Sequence, residues 1–585
     1  MKQAIPKTSF TKLLACYLLI GFSAHHLIPS PIDAQEPQGV PPLKVIYFVP
    51  SDCSPLPNCE ERLGRVMRHI QKFYREGMES HGHGPKTFAL EWESPEKLRL
   101  HTVRGKKKLR EYGNDSGWGV AQEVREALHH RGIDIDKEFV LVLGTFFSWE
   151  NGVATGHGPY NGGGNSFSGY AVAYEDERLD AALLTSAEPG GYYHGPCSLG
   201  VFNTKFIGGI AHELGHCFGL PHECQLSSES QTLGVSIMGL GNQTYGGELR
   251  NEGPGAFLSA SAALRLSANR AFVADLPESS RPTPWQFEKL DAAFQEDKLI
   301  LTGQGGTAPH PLGIVAYNDK LDVLTDYDAT SWVAPVDRRG NFRFEITELK
   351  RVPYELRLVA IIPSGDTVHL TLRYDNTNGT PNREIFVTAV DRSRLAELFC
   401  NNDLKNAESL LRKMVKKYPE SKEWKRKAKH VSSLVKPSSL LDLKTIPPAK
   451  RTVDLTSIET QNSSVGWGEP SCGMIKGSGF FQIDNTFFES GFYAHAPSLY
   501  EFSLGKRWKT FQFAYGIQDE NPGSVVFVVR GDGKELFRSE IVKNHKLRRA
   551  KCNVSDVERL ELVTEDAGDN GYSDWGLWIE PVLKR

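Results

Sequence analysis

Apolar residues follow two different periods along the first 275 positions. Strand-like apolar runs are KVIYFVPS, TFALEWE and EFVLVLGTFF, whereas NCEERLGRVMRHIQKFYREGMES and VAQEVREALHHRG have apolar residues at helical spacing. A third helix is predicted at FNTKFIGGIAHELGHCFG, and a last one spans roughly 255–272. GVATGHGPYNGGGNSFSG is too glycine-rich for regular structure, and SGYAVAYEDE is expected to be an edge strand. This order predicts a sheet backed by helices.

The pattern changes after PESSRPTPW. Short alternating strands over 280–380 predict a small β-sandwich, and residues 386–436 predict a helical spacer. The chain is strand-rich again from 450 to 585, after the linker PSSLLDLKTIPPAK. A length of 585 residues also exceeds one ordinary domain. We therefore expect a multidomain fold: an α+β domain at 43–275, a β-sandwich, a helical spacer and a C-terminal β-sandwich.

Charge and the N-terminal residues restrict the partners and the location. The chain has 68 basic and 71 acidic residues, a balance that argues against nucleic acid or an anionic membrane surface as the main partner. Lys2, Lys7 and Lys12 precede an apolar run over 13–24, which is the pattern of a secretory signal. We assign residues 1–34 to a signal peptide and linker. No later stretch is apolar enough to span a bilayer, so a secreted, periplasmic or cell-surface protein is expected.

Eight cysteines remain after the signal peptide, and export permits disulfides. The pairs considered are Cys53 with Cys59, Cys197 with Cys217 or Cys224, and Cys472 with Cys552. The alternative is that several of these residues are buried thiols. Spacing does not decide between the two.

The segment AHELGHCFGLPHEC carries the candidate chemistry. His212 and His216 are four residues apart, so a helix places both imidazoles on one face, where they can reach one zinc ion at about 2.0–2.1 Å. Glu213 lies to the side of the metal and can hold a water molecule. Gly219 can adopt the left-handed conformation and turn the chain, which brings back His222 as a third ligand. Three protein ligands leave the fourth position open, as in catalytic zinc sites.

This arrangement predicts peptide hydrolysis, with zinc lowering the pKa of water and Glu213 as the general base. The pattern HExxHxxGxxH resembles that of the metzincin zinc endopeptidases, and SIMG supplies Met238 for the methionine turn of that family. The resemblance implies that Met238 packs beneath the metal without binding it. Glu223 resembles the residue found in astacin-like members, but the next tyrosine, Tyr245, is seven residues after the methionine. A role for a tyrosine is therefore doubtful.

The last 135 residues contain WGEP, GFYAHAPS, GSVVFVVRGDGKELFRS and LELVTEDAGDNGYSDWGLW, and they resemble the NPCBM family of carbohydrate-binding modules. The resemblance implies a galactose-binding-like β-sandwich that binds glycans. Candidate sugar-binding residues are Trp467, Trp575 and Trp578 for stacking, and His495, Asp519, Asp532 and Asp574 for hydrogen bonds. DAGDNGYSDW is acidic enough for a calcium ion. The alternative places these aromatics in the core and the aspartates in hairpin turns.

Together these features predict a secreted zinc endopeptidase that a glycan-binding module directs to protein or glycoprotein substrates. Three alternatives remain open. One is a catalytically inactive, glycan-binding adhesin. The others are a glycoside hydrolase or its accessory protein, for which no catalytic carboxylate pair is recognisable, and a zinc amidase of cell-wall peptides.

Overall fold

The computed structural model describes residues 36–114, 116–274, 276, 283–295, 297–321, 326–436, 439–519, 521–569 and 571–585. The signal peptide predicted over 1–34 lies outside these residues. Within them, no helix is both long and apolar enough to cross a membrane. The chain divides into two compact units. The first comprises residues up to Pro284, Ala308–Val336 and Val359–Val368, and the second comprises Trp285–Thr307, Asp337–Leu358 and His369–Arg585.

The first unit begins with a mixed α/β region. Its strands are β1 Pro42–Val49, β2 Ala89–Leu90, β3 Trp92–Ser94, β4 Lys97–Leu98, β5 His101–Arg104, β6 Phe139–Gly144, β7 Phe147–Glu150, β8 Val153–Gly156, β9 Asn161–Gly164, β10 Gly169–Tyr174, β11 Pro189–Tyr192, β12 Pro196–Ser198, β13 Val235–Ser236 and β14 Ala256–Phe257. Its helices are α1 Cys59–Ser80, α2 Gly117–His129, α3 Leu199–Cys217, α4 Ser227–Thr232 and α5 Ala260–Leu266.

A six-stranded sheet organises this region. The strand order is β2-β1-β6-β10-β9, with β5 also paired to β1, and the pairs are parallel except β10 with β9. Alternate residues of β1 point to opposite faces. Val45 and Tyr47 share one core with α1 and α3, whereas Ile46 and Phe48 share another with α2. The predicted sheet backed by helices is therefore present, with helices on both faces.

Three expectations for this region were wrong. The glycine-rich passage forms strands β8 and β9, and β10 lies inside the sheet, so β9 is the edge strand instead. Glycine is needed at two positions because β9 lies against α3: a Cβ at Gly162 would be 2.3 Å from the Glu213 carbonyl oxygen, and one at Gly164 would be 2.0 Å from that of Cys217. The helix predicted over 255–272 is only α5, which begins where the Ser259 side chain accepts a hydrogen bond from the Ala262 backbone N–H.

Seven strands follow: β15 Phe287–Gln295, β16 Lys298–Gly305, β17 Gly313–Lys320, β18 Thr330–Ala334, β19 Asn341–Ile346, β20 Pro353–Ile361 and β21 Thr367–Asp375. In the first unit, β17 and β18 form an antiparallel hairpin. In the second unit, β15, β16 and β19 form an antiparallel sheet. The strands expected as one sandwich over 280–380 are thus divided between the two units.

Three helices occupy the predicted spacer: α6 Arg383–Cys400, α7 Leu404–Lys417 and α8 Lys422–Val435. Leu411 of α7 and Trp424 of α8 are buried in one core with Phe399 of α6. Phe480 and Phe487, which belong to the C-terminal strands, complete this core. The helices therefore pack directly on the C-terminal domain.

The C-terminal strands are β22 Thr452–Asp454, β23 Asn462–Ser464, β24 Met474–Ile475, β25 Gly479–Ile483, β26 Thr486–Phe488, β27 Gly491–His495, β28 Ser498–Ser503, β29 Thr510–Ile517, β30 Val525–Gly531, β31 Lys534–Arg538, β32 Arg548–Asn553, β33 Arg559–Asp566 and β34 Trp575–Lys584. They form two five-stranded antiparallel sheets, β22-β34-β29-β32 with β27 on β34, and β23-β28-β33-β30-β31, and a three-stranded sheet, β24-β25-β26. Residues of both five-stranded sheets share one hydrophobic core, as in a β-sandwich.

Candidate functional site

Helix α3 and the turn after it bring three histidines together. The Nε2 atom of His216 lies 3.1 Å from Nε2 of His212 and 2.9 Å from Nε2 of His222. Among the described residues, these three form the group of potential metal ligands whose ligand atoms lie within 4.8 Å of one another. Three ring nitrogens directed at one point fit a cation placed between them.

The orientation of the first two imidazoles supports this fit. Nδ1 of His212 lies 2.7 Å from the Ile237 carbonyl oxygen, and Nδ1 of His216 lies 2.8 Å from that of Leu220. Because a carbonyl only accepts, each Nδ1 carries the proton and each Nε2 presents its lone pair. Zinc bound at about 2.0–2.1 Å in a tetrahedron separates its ligand atoms by about 3.3 Å, close to the observed spacing.

The turn that returns His222 depends on Gly219. This glycine has a φ of +79°, and its N–H donates to the His216 carbonyl oxygen at 2.9 Å. The N–H of Leu220 donates to the Gly215 carbonyl oxygen at 2.9 Å, so the last carbonyls of α3 are satisfied by the turn. The left-handed conformation strains any residue with a Cβ, which explains why glycine occupies this position.

Met238 lies directly beneath α3. Its side chain is fully buried, and a Cβ at Gly215 would be 2.2 Å from the methionine sulfur. Gly215 is the helix residue before His216, so the thioether packs against the backbone that carries His212 and His216. The preceding residue, Ile237, supplies the carbonyl that orients His212. The methionine segment therefore supports the histidines by packing and by a backbone hydrogen bond.

Glu213 is 9% exposed and lies beside the histidine cluster. Burial raises the pKa of its carboxyl to about 7. Tyr160 packs against the same helix one turn earlier, where a Cβ at Gly209 would be 2.1 Å from its hydroxyl. Burial, and then the charge of Glu213, raise the pKa of Tyr160 well above its ordinary value. A carboxyl with a pKa near neutrality can accept and return a proton.

Sequence patterns did not reveal how Glu223 is held. Its carboxylate is fully buried and accepts hydrogen bonds from the hydroxyls of Ser259, Ser261 and Ser331. Burial raises the pKa of this carboxyl, and the three hydroxyls oppose that shift. The ring of Tyr327 lies on His222, a second contact that local spacing could not indicate. Tyr245, the next tyrosine after Met238, is buried, and its hydroxyl lies 2.9 Å from Nδ1 of His69.

The disulfide prediction was wrong. All eight cysteines of the described residues are free thiols: Cys53, Cys59, Cys197, Cys217, Cys224, Cys400, Cys472 and Cys552. Cys217 is buried on the face of α3 that packs on the sheet, where its Sγ lies 3.7 Å from the Val140 carbonyl oxygen. The alternative, buried thiols, describes this residue and Cys552.

Four of the seven candidate sugar-binding residues come together on the C-terminal domain. Trp467 is 58% exposed, and its ring centroid lies 5.1 Å from that of Trp575 and 6.3 Å from that of His495. Asp574 is fully buried nearby, and its Oδ2 has no hydrogen-bond partner among the described residues. The ring of Tyr493 lies 5.4 Å from that of Trp575, and its buried hydroxyl also has no hydrogen-bond partner among the residues that the structure describes. An exposed indole beside unpaired polar groups can bind a sugar ring.

The other three candidates have structural contacts. Trp578 is fully buried and donates through Nε1 to the Thr564 hydroxyl at 3.1 Å. Asp519 accepts from the backbone N–H groups of residues 484 and 485, and Asp532 accepts from those of residues 558 and 559. In DAGDNGYSDW, Asp569 accepts from the Ser524 hydroxyl at 2.7 Å. The calcium ion predicted for this loop remains a prediction.

Comparisons with known proteins agree with parts of this description. Residues 451–584 match the NPCBM/NEW2 domain model, which confirms the NPCBM resemblance. No curated protein matches the chain. Wild-type OgpA from Akkermansia muciniphila is similar in structure, with a TM-score of 0.51 and 23% identity over 60% of this chain and 97% of that chain. Catalytically inactive OgpA in complex with an O-glycopeptide (glycodrosocin) substrate matches with a TM-score of 0.52 and 22% identity over the same shares. At these identities the likeness establishes a shared fold, so the chain combines an OgpA-like fold with an NPCBM/NEW2 domain.

Proposed function

We propose that this protein is a secreted, zinc-dependent endopeptidase of metzincin type that cleaves glycan-bearing proteins. The convergence of His212, His216 and His222 beside the buried carboxyl of Glu213 carries this proposal. Nitrogen ligands in an open set of three suit zinc, and the separations of their Nε2 atoms suit its bond lengths.

Bound zinc would supply a Lewis acid for the scissile carbonyl and a lowered pKa for the attacking water. Glu213 takes the proton of that water and then donates it to the leaving amine. Its burial keeps the carboxyl out of bulk solvent and beside the histidines that would hold the metal. His212 and His216 keep their Nδ1 protons on backbone carbonyls, so both imidazoles stay in one tautomer and one orientation.

The edge strand β9 would hold the substrate. It ends the sheet next to α3 and lies against the Glu213 backbone. An extended peptide can add to such an edge through main-chain hydrogen bonds, which places its carbonyl groups beside the catalytic centre. The side of Gly163 is open, with no atom within 4 Å of a Cβ built there. Space there accommodates bulk on the substrate.

The C-terminal module would direct the enzyme to glycans. The NPCBM/NEW2 match and the exposed Trp467 beside Trp575 support sugar binding. OgpA, which is similar in fold, has been crystallised with an O-glycopeptide substrate, and this favours glycosylated peptide segments as the substrate class. Linking the module to the catalyst raises the local concentration of such substrates.

The test is hydrolysis of mucin, the same mucin after removal of its glycans, casein and gelatin by purified protein. Glu213→Gln is the matched variant, because it keeps the shape of the side chain but cannot act as a base. We expect cleavage by the wild type, preference for intact mucin, and loss of cleavage in Glu213→Gln and with a zinc chelator. Cleavage by Glu213→Gln at the wild-type rate would refute the mechanism. Bound zinc without cleavage of any substrate would favour the adhesin alternative.

A further inference from the structure

A short helical turn before β18 reaches the histidine cluster. The turn spans Asp326–Asp328 in the first unit. The ring centroid of Tyr327 lies 3.7 Å from that of His222, with an interplanar angle of 26°. The same ring is nearly parallel to His212, at 2° and 6.2 Å. More than a hundred residues separate Tyr327 from the histidines, so tertiary structure alone creates this contact.

The backbone around Tyr327 is fixed to the segment that carries His222. The N–H of Cys224 donates to the Ala329 carbonyl oxygen at 2.8 Å, and Cys224 forms a parallel bridge with Thr330. The Ser331 hydroxyl donates to the buried carboxylate of Glu223. The two segments therefore run side by side. Because these contacts are at least partly buried, the position of Tyr327 is determined by the fold and not by its ring alone.

Hydrogen bonds and an aromatic ring surround the three metal ligands. His212 and His216 are held by hydrogen bonds from Nδ1 to backbone carbonyls. His222 follows the glycine turn, outside any helix, and the stacked ring of Tyr327 covers its imidazole face. A metal-bound imidazole is electron-poor, and an aromatic face stabilises it electrostatically. Tyr327 is 38% exposed, so its ring lies between His222 and solvent-accessible space.

We propose, on the basis of the proposed function, that Tyr327 is a positioning residue for the third metal ligand: its ring holds the His222 imidazole in the ligating orientation. A residue from the region expected to be a small β-sandwich would therefore complete the catalytic centre. Neighbours that orient metal ligands typically change metal affinity or activity by about 10–100-fold when they are removed.

The experiment measures zinc affinity of the full-length protein by competition with a chromogenic chelator, together with kcat and KM. The variants are Tyr327→Phe, which keeps the ring, Tyr327→Leu, which keeps bulk without an aromatic face, and Tyr327→Ala. Tyr572→Ala, at a tyrosine that is 79% exposed in the C-terminal domain, is the matched control. Circular dichroism and gel filtration establish that each variant is folded.

We expect zinc affinity to fall at least about 10-fold in the Leu and Ala variants, and to stay within about threefold of wild type in Tyr327→Phe and in the control. Wild-type affinity in Tyr327→Leu, or an equal loss in Tyr327→Phe, would overturn the proposal. The affinity measurement does not depend on peptidase activity. If the wild type cleaves no peptide but the Leu variant still loses zinc, the proposed function fails and the role of Tyr327 stands.

Discussion

Replacing Glu223 by alanine should loosen the contact between the third-histidine segment, α5 and β18. The carboxylate accepts from three serine hydroxyls, two at the start of α5 and one in β18. Leaving a buried hydrogen-bonding group without its partner typically costs about 1–3 kcal/mol for each group. Part of that cost is recovered here, since Ser261 lies 2.8 Å from both Ser259 and Ser331 and the hydroxyls can pair with one another. We therefore expect a loss of about 3 kcal/mol of local stability.

Glu223→Gln removes the charge of this side chain but keeps its shape. Burial raises the pKa of this carboxyl, and a glutamine amide keeps one acceptor oxygen in nearly the same volume. Serine hydroxyls rotate freely enough to accept from the new NH₂ group. We expect this variant to lose about 1 kcal/mol, clearly less than Glu223→Ala.

Native-state hydrogen exchange is the suitable assay, because a chain with several domains does not unfold in one two-state step. Protection is compared in peptides that cover α5, β17 and β18. Glu76→Ala, at a glutamate side chain that is 63% exposed, is the control and should change stability by less than about 0.5 kcal/mol. A similarly small effect of Glu223→Ala would refute the reasoning.

Three further predictions concern other regions. Gly162→Ala should lower peptidase activity at least about 10-fold, because the added Cβ would lie 2.3 Å from the Glu213 carbonyl oxygen. Gly119→Ala, in open space on α2, is its control, and equal activities of the two variants would contradict this. Trp467→Ala should weaken glycan binding at least about 10-fold in isothermal titration with mucin glycans, while casein cleavage stays unchanged. Unaltered glycan binding would show that this surface is not the sugar-binding site. Contacts with His101 and Lys44 lower the pKa of Glu91 from 4.5 to about 2, so its stabilising effect is present above pH 4.5 and is lost as the pH falls towards 2. The difference in thermal stability between wild type and Glu91→Gln should shrink over that range, and a constant difference would contradict it.

The parts of the protein that local sequence could predict are those with short-range periodicity. The alternating strands and helices of the first 220 residues followed from apolar spacing, and α1 and α3 are where the pattern indicated. The grouping of His212, His216 and His222 followed from the i, i+4 geometry of a helix and a glycine that ends it. The NPCBM resemblance also followed from contiguous residues, and it is confirmed over 451–584.

The glycine-rich passage shows why local rules failed elsewhere. Glycine has low strand propensity, so the sequence predicted an irregular loop. The structure has an edge strand there because only glycine lets its backbone approach α3, and that close approach is a property of two distant segments. The cysteines are similar: disulfide pairing depends on spatial distance, and the structure leaves all those described as free thiols.

The sequence by itself determined the grouping of the histidines and Glu213 in the candidate centre, because their spacing is set within one helix and one turn. Only the tertiary structure decided what surrounds that centre. Tyr327 and Ser331 come from a segment about a hundred residues away, and they reach His222 and Glu223 because β18 docks beside them. The tertiary structure also decided the environment of the two tryptophans: Trp467 is exposed at the surface, whereas Trp578 is buried in the core. Side-chain type and spacing indicate what a residue can do, whereas long-range packing decides which residues meet.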